Sequence, residues 1–240
     1  MKTIQFFRPT AFYLLALTFI SSAYSADKYF GNSSATFISD KAWYSDEALT
    51  EPTTHPIGEE DTAIFYKTKG TATYAPTSWV TQVDTYVGNV ISSGDNGIIN
   101  LGKELLNQGV PINFQIYNTL SVQICDEAGT MSFGTSFDDE EGTAAVELTI
   151  GNIDIGTQVY DSYSTTSLSF SYVDSRLTSS LINVIGDVNL GGCGVTGANS
   201  AALLDLAVDK MAVKGIMNIK RNGWGYSNVT FYKAGVPELG

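Results

Sequence analysis

Three polar side chains around residue 170 have the types and the spacing needed to cleave a polysaccharide. Asp174 and Arg176 flank Ser175, so their side chains fall on one face of a strand. Asp161 precedes them by the length of a strand. Glycoside hydrolysis needs only carboxylates, and a carboxylate-bound calcium beside a basic residue suffices for polysaccharide lysis. A polysaccharide-degrading enzyme is therefore one hypothesis, against a polar turn that closes the strand. We assign no catalytic residue.

Histidine and cysteine are too scarce for most other catalytic sites. His55 is the only histidine, and Cys125 and Cys193 are the only cysteines. A Ser-His-Asp triad, a Cys-His pair or a zinc site would have to be built from this set alone. We interpret His55 as a solvent-exposed loop residue, and the cysteines as either one structural disulfide or two buried thiols. Whether the chain is an enzyme stays open, with the balance against catalysis.

Two acidic runs make calcium the one candidate cofactor. Asp138, Asp139, Glu140 and Glu141 precede a glycine, and a second run covers residues 59–61. Calcium prefers such oxygen ligands. The alternating ligand spacing of a calcium-binding loop is absent, however, and adjacent side chains point in different directions. The alternative is a solvated acidic turn.

Aromatic side chains near the C-terminal end predict a sugar-binding surface. Trp224 lies between two glycines, followed by Tyr226 and Tyr232, with Asn and Ser nearby. Exposed aromatic rings beside such polar groups can stack on sugar rings. Tyr160, Tyr163 and Tyr172 belong to the same set. The alternative, which we favour for Trp224, is that this side chain covers the open end of the core.

The first 25 residues have the layout of a secretory signal peptide. Lys2 and Arg8 precede the apolar stretch 10–20, and the small residues 21–26 follow. The apolar stretch is too short to cross about 30 Å of hydrocarbon. We expect cleavage before Ala26 and a secreted or cell-surface protein without a membrane span.

The charge and length of the chain after cleavage limit its possible partners and its number of domains. The net charge is −12, and residues 1–25 hold two of the 13 basic and none of the 25 acidic side chains, so cleavage leaves −14. Such a surface repels nucleic acid and anionic lipid. Residues 26–240 can form one domain, which we divide into a loop-rich N-terminal segment, 26–70, and a β-rich part, 71–240.

Apolar residues in the mature chain alternate with a period of two, which predicts strands. The alternation covers residues 112–124 and 167–172. It also covers residues 146–155, with a slip of one at Gly151-Asn152 that indicates a corner. Residues 200–213 fit a helix or two strands, and we favour strands.

A five-residue unit recurs, consisting of glycine, any residue, an apolar residue, Asn or Asp, and an apolar residue. Its copies begin at Gly97, Gly151, Gly186 and Gly215. Each copy predicts a glycine corner that leads into a strand. We therefore expect an all-β fold, a short parallel β-solenoid (β-helix) with an irregular N-terminal segment, with a two-sheet β-sandwich as the alternative. Turns of about twenty residues would separate Cys125 from Cys193 by about 14 Å, beyond disulfide reach.

Residues 40–155 carry a family resemblance. Trp43 is followed by a proline-containing loop, by Glu60-Asp61-Thr62-Ala63-Ile64-Phe65 and by glycine-led strands. This order resembles the N-terminal portion of bacterial surface proteins with autotransporter-associated β-strand repeats, including some with PEP-CTERM sorting tails. The resemblance implies a right-handed parallel β-solenoid displayed outside the cell, usually without enzymatic activity. The sequence has no sorting helix after residues 235–240, so we expect free secretion or an incomplete chain.

These observations rank three functions. First comes a non-enzymatic secreted or cell-surface structural or adhesive module, whose partner is an extracellular glycan or a surface protein. Second comes a carbohydrate-binding module that uses Trp224, Tyr226 and Tyr232, and third a polysaccharide-degrading β-helix enzyme.

Overall fold

A computed structural model describes most of residues 26–240. The described residues are 26–31, 34–37, 39–56, 58–66, 70–74, 85–93, 97–101, 112–123, 129–135, 144–157, 165–172, 177–191, 201–220 and 226–232. Residues 1–25, which carry the predicted signal peptide, lie outside these ranges. No helix within the described ranges is long and apolar enough to cross a membrane.

The described chain is all-β apart from one short 3₁₀ helix, Asp40–Ala42. The strands in chain order are β1 Asp27–Phe30, β2 Ser34–Thr36, β3 Trp43–Tyr44, β4 Gly58–Tyr66, β5 Gly70–Tyr74, β6 Thr85–Ser93, β7 Gly97–Leu101, β8 Ile112–Val122, β9 Gly129–Thr135, β10 Ala144–Ile155, β11 Thr165–Ser171, β12 Leu177–Val184, β13 Val188–Leu190, β14 Ala201–Ala207, β15 Lys210–Val213, β16 Met217–Ile219 and β17 Tyr226–Phe231. The all-β prediction is confirmed, as are the two strands in residues 200–213, where Leu204 and Leu206 are buried.

The strands form two sheets in the described part of the chain. Sheet A has the order β15-β12-β10-β8-β6-β4-β1-β3, with β13 beside β10 and β16 beside β13. Sheet B has the order β17-β14-β11-β9-β7-β5-β2. From β4 onward the chain passes back and forth between the sheets, with β12 and β13, and later β15 and β16, as consecutive strands of sheet A. Among the described strands, β1 and β3 form the one antiparallel pair. The sheets are therefore mostly parallel, and strands that follow each other in one sheet are joined through the other.

Positions that pair in register from strand to strand form columns, and the inward columns build one core. Ile153 of β10 pairs with Leu120 of β8 and with Val188 of β13, and all three are fully buried. In sheet B, Phe133 pairs with Phe170, with ring centroids 5.2 Å apart. Buried residues of both sheets belong to a single hydrophobic cluster. Each fully buried aliphatic side chain contributes about 1.5–3 kcal/mol to stability.

Successive strands of sheet A are separated by longer stretches of chain than the sequence predicted. Residues that pair between neighbouring parallel strands of sheet A lie 27 to 35 positions apart, as in Ile64 with Ile91 and Ile153 with Val188. The predicted spacing of about twenty residues is wrong, because the connections between strands are longer than periodicity reveals. Cys125 and Cys193 lie outside the described residues, so their bonding stays a prediction.

Glycine corners divide the long strands of sheet A. Val146, Leu148 and Ile150 are buried, the register shifts after Ile150, and Ile153 resumes the inward face, so the predicted slip is confirmed. A Cβ at Gly151 would overlap the main-chain carbonyl oxygens of the neighbouring strand. Only glycine allows this close approach.

Three of the four recurrent units stack on one another. The copies beginning at Gly151, Gly186 and Gly215 pair in register through β10, β13 and β16. The copy at Gly97 lies in β7 of sheet B and does not join them. The units are thus equivalent in sequence and divided between two sheets in space.

The N-terminal end of the sheets is closed by aromatic side chains. Trp43 of β3 is fully buried and donates from Nε1 to the carbonyl oxygen of Phe37 at 2.8 Å. Its ring lies 5.2 Å from Phe30 and 6.0 Å from Phe65, measured between centroids. The segment 26–70, predicted as loop-rich, therefore also supplies four strands that finish this end of the core. Three of these strands, β1 to β3, have only two to four residues and are too short to show a periodicity in sequence.

Candidate functional site

The last strand presents an outward face with an aromatic residue at each end. Tyr226 of β17 pairs with Ala201, which belongs to the outward set of β14, and Tyr232 has the same parity. Tyr226 is 59% exposed and Tyr232 is 54% exposed. Asn228 and Thr230 lie between them and share a 3.1 Å hydrogen bond from Nδ2 to Oγ1. At about 3.3 Å per residue the two tyrosines stand about 20 Å apart.

The predicted aromatic set is therefore only partly brought together. Tyr226 and Tyr232 share one face but are too far apart to clasp the same ring. Trp224, Tyr160 and Tyr163 lie outside the described residues. Tyr172 was grouped with them as a sugar-stacking residue, and that interpretation is wrong, because Tyr172 is 2% exposed and packs in the core. The alternation in residues 168–172 predicts that Tyr172 is buried, whereas its aromatic side chain alone suggested a sugar contact.

Sequence reasoning missed several apolar side chains on the same end of the molecule. Met217 and Ile219 of β16 are 36% and 51% exposed, and Phe231 of β17 is 65% exposed. All three belong to inward columns, since they pair with Val188, Leu190 and Leu206. The sequence predicted that the third and fifth positions of the recurrent unit point inward, but it did not indicate that the copy at Gly215 lies at the edge of the described sheet.

The outer face of sheet A carries an amide ladder of Asp154, Asn189 and Asn218. These residues occupy the Asn or Asp position of the three stacked units and pair in register. Asn189 Nδ2 donates to Asp154 Oδ1, and Asn218 Nδ2 donates to Asn189 Oδ1, each at 2.8 Å. The recurring polar residue thus has a structural use that the sequence did not reveal.

A second polar column follows the glycine corners. Asn152 Oδ1 accepts from the main-chain N–H of Asp187 at 2.9 Å, and Asp187 Oδ1 accepts from the N–H of Ile216 at 2.8 Å. Each side chain therefore satisfies a main-chain donor of the next corner. Such bonds hold successive corners in the same register.

The described residues contain no group of three or more His, Cys, Asp or Glu that could hold a metal ion. Asp138, Asp139, Glu140 and Glu141 lie outside them, so calcium binding there stays a prediction. In the second acidic run, Glu59 and Glu60 are exposed, whereas Asp61 is buried. Asp61 forms a 2.8 Å salt bridge with Lys28. The three carboxylates of this run do not converge on one point.

His55 is held in a hydrogen-bonded loop. Asp40 Oδ1 contacts Nδ1 of His55 at 2.6 Å and accepts from its main-chain N–H at 2.9 Å. These two hydrogen bonds, the main-chain one first, lower the pKa of Asp40. The predicted loop position of His55 therefore holds, but its side chain is 26% exposed and its ring is paired, so it is less free than the sequence suggested. Lys28 Nζ donates to the His55 carbonyl oxygen at 3.2 Å and so ties this loop to β1.

The residues considered for polysaccharide cleavage, Asp161, Asp174 and Arg176, lie outside the described ranges. Comparison with protein-family models, with curated proteins and with solved structures finds no match to this chain. The functional argument therefore rests on the geometry of the described strands.

Proposed function

We propose that this chain is a short parallel β-solenoid that works as a non-enzymatic structural or adhesive module, secreted or held at the cell surface. The observation that carries the proposal is the parallel pairing of strand upon strand from β4 to β17, in which the inward columns resume after each register shift. Strands alternate between two parallel sheets around one core, which is what a coil of successive turns would produce. A β-sandwich usually consists of antiparallel sheets, so the parallel pairing favours a solenoid.

The outward polar side chains support a structural role. Many bond to the next strand: Ser169 Oγ to Ser132 Oγ at 2.9 Å, and Asn183 Nδ2 to Glu147 Oε1 at 2.8 Å. Together with the amide ladder, these bonds extend along the sheet rather than around one point. An extended polar face of this kind is better suited to many weak contacts with a large partner than to catalysis on a small substrate.

The net charge of the chain restricts the classes of partner that it can bind. The net charge after loss of residues 1–25 is −14, so nucleic acid is repelled. An extracellular glycan or a surface protein remains as the partner of an adhesive face.

Two measurements test this proposal. Fractionation of producing cells, with the mass of the recovered chain, should place it in the medium or at the surface without residues 1–25. An intact N-terminus on protein from the cytoplasm would contradict export.

The second measurement tests for enzymatic activity. Incubation with acidic and neutral polysaccharides should release no reducing or unsaturated sugar ends. Release of such ends would instead support the enzyme hypothesis.

A second candidate function is carbohydrate recognition, favoured by the outward and exposed positions of Tyr226 and Tyr232. Because an aromatic ring contributes stacking area, each change to alanine should weaken retention on a glycan array about tenfold. Tyr86 is the matched control, since it is 38% exposed and lies against Tyr117 on another part of the surface. The array should be run with calcium and with chelator. Unchanged retention by the β17 variants would argue against this function.

A further inference from the structure

One end of the molecule exposes positions whose paired residues in the neighbouring strands are buried. We define the terminal edge as β15, β16 and β17. Met217 continues the column of Val188, and Ile219 continues that of Leu190. Val188 and Leu190 are fully buried, but the exposed fractions rise to 36% at Met217 and 51% at Ile219. Sheet B ends in the same way at Phe231, which is 65% exposed. The inward columns therefore reach the terminal edge without a strand that covers them among the described residues.

The main chain of the terminal edge is also uncovered on one side among the described strands. In the described sheets, β15 pairs with β12, β16 with β13, and β17 with β14, each on one side. A strand edge of this kind can accept an extended segment of another polypeptide. The opposite end of sheet A differs, because there β3 turns antiparallel and Trp43 is fully buried.

The charge of the terminal edge is opposite to that of the rest of the chain. Residues 26–200 contain six basic and 22 acidic side chains, whereas residues 201–240 contain five basic and three acidic ones. Lys210, Lys214 and Lys220 lie on or beside β15 and β16, and all three are exposed. Lysines on an edge strand repel a second copy of the same edge and attract carboxylates.

We infer that the terminal edge binds an extended acidic segment of a partner polypeptide, which adds as a strand and alternates apolar residues with Asp or Glu. Its apolar side chains would cover Met217 and Ile219, and its carboxylates would face the lysines. This inference goes beyond the proposed structural role, which does not require the edge to be occupied.

The chain itself contains a strand with this pattern. In β10, Val146, Leu148 and Ile150 point inward, and Glu147 and Asp154 lie on the outward side. This strand runs along both β12 and β13, which precede β15 and β16 by one step in sheet A. A peptide with the sequence of residues 144–155 is therefore a suitable probe.

The experiment measures fluorescence anisotropy of the labelled peptide with the purified full chain. A second peptide carries Glu147→Lys and Asp154→Lys and keeps the apolar pattern. The acidic peptide should bind about tenfold more tightly than the lysine peptide. Added salt should weaken binding of the acidic peptide, because the Debye length falls to about 3 Å at 1 M salt and the charges are then screened from each other. The triple variant Lys210→Glu/Lys214→Glu/Lys220→Glu should bind the lysine peptide more tightly than the acidic one. The control Lys41→Glu, which changes an exposed lysine near Trp43, should keep the preference for the acidic peptide.

Hydrogen exchange then locates the peptide. Bound acidic peptide should slow exchange of the amides in residues 210–220, with little change in β3 and β4. Equal affinity for both peptides, an unaltered preference in the triple lysine variant, or protection confined to other strands would overturn the inference. A dimer of the chain that blocks the peptide would do the same, since it would make a second copy the occupant.

Discussion

Asn189 donates a 2.8 Å hydrogen bond from Nδ2 to Oδ1 of Asp154, although 35 residues of chain separate the two side chains. Its own Oδ1 accepts from Asn218 at 2.8 Å. The middle member of the amide ladder is thus satisfied on both sides. This arrangement ties three separate segments of the chain to one register.

Replacement of Asn189 by alanine should therefore destabilise the fold. The change removes two partly buried hydrogen bonds and leaves Asp154 and Asn218 without these partners, which should lower the free energy of unfolding by about 1–3 kcal/mol. Urea denaturation measures the loss. Asn228→Ala is the control, because Asn228 is exposed and bonds to Thr230 two residues away. Equal losses in the two variants would contradict a structural role for the ladder.

Gly151→Ala should be more damaging than the same change at Gly58. The new Cβ would overlap the carbonyl oxygens of Tyr117 and Asn118, and main chain cannot move aside cheaply. We expect a loss of about 3 kcal/mol in unfolding free energy. Gly58 is the comparison: its φ is +84° but nothing lies within 4 Å of an added Cβ, so Gly58→Ala should cost about 1–2 kcal/mol from backbone strain. A smaller loss at Gly151 than at Gly58 would show that the corner can open.

Tyr172→Phe should stabilise the protein. The Tyr172 hydroxyl is buried without a hydrogen-bond partner among the described residues, and burial raises the pKa of this phenol well above its ordinary value. Removal of an unsatisfied polar group should raise the free energy of unfolding by about 1 kcal/mol. Tyr226→Phe, which deletes a hydroxyl from an exposed ring, should leave stability unchanged. A loss of stability in Tyr172→Phe would mean that the hydroxyl has a partner.

Acid should loosen the N-terminal loop through Asp46. Its carboxylate accepts from the main-chain N–H groups of Glu51 at 2.7 Å and Thr50 at 2.9 Å. These bonds, the one from Glu51 foremost, hold the pKa of Asp46 below its ordinary 3.8. A lowered pKa in the folded state contributes stability above the unfolded pKa, and that stability disappears as pH falls through the folded value.

Unfolding free energies measured from about pH 6 down to about pH 2 test this dependence, because the relevant window lies at and below the ordinary carboxyl pKa. Asp46→Ala should lower stability at the upper end of this range and flatten the acid limb of the curve. Glu47→Ala, which removes the neighbouring exposed carboxylate, should keep the wild-type slope. Parallel curves for wild type and Asp46→Ala would refute the assignment.

Part of the fold followed from local sequence. Alternation identified the inward residues Phe114, Ile116, Leu120 and Val122 of β8, and the slip at Gly151 located a corner. Part of the candidate site followed as well, because aromatic residues after a glycine-rich turn indicated exposure at Tyr226 and Tyr232. The burial of Tyr172 was already encoded in the alternation with Phe170, although its aromatic character suggested otherwise.

What the sequence by itself determined is therefore the β-rich character, the inward and outward parity within the long alternating strands, and the acidic charge. These properties depend on neighbours one or two positions away, which a period of two records. Only the tertiary structure decided which strands pair, that the unit at Gly97 lies in sheet B, and that Asp154, Asn189 and Asn218 form a ladder. Pairing across 27 to 35 residues depends on the length and path of the connections, which no local pattern encodes. The exposure of Ile219 and Phe231 has the same cause, since equivalent inward positions are buried where a further described strand pairs beside them and exposed where none does among the described residues.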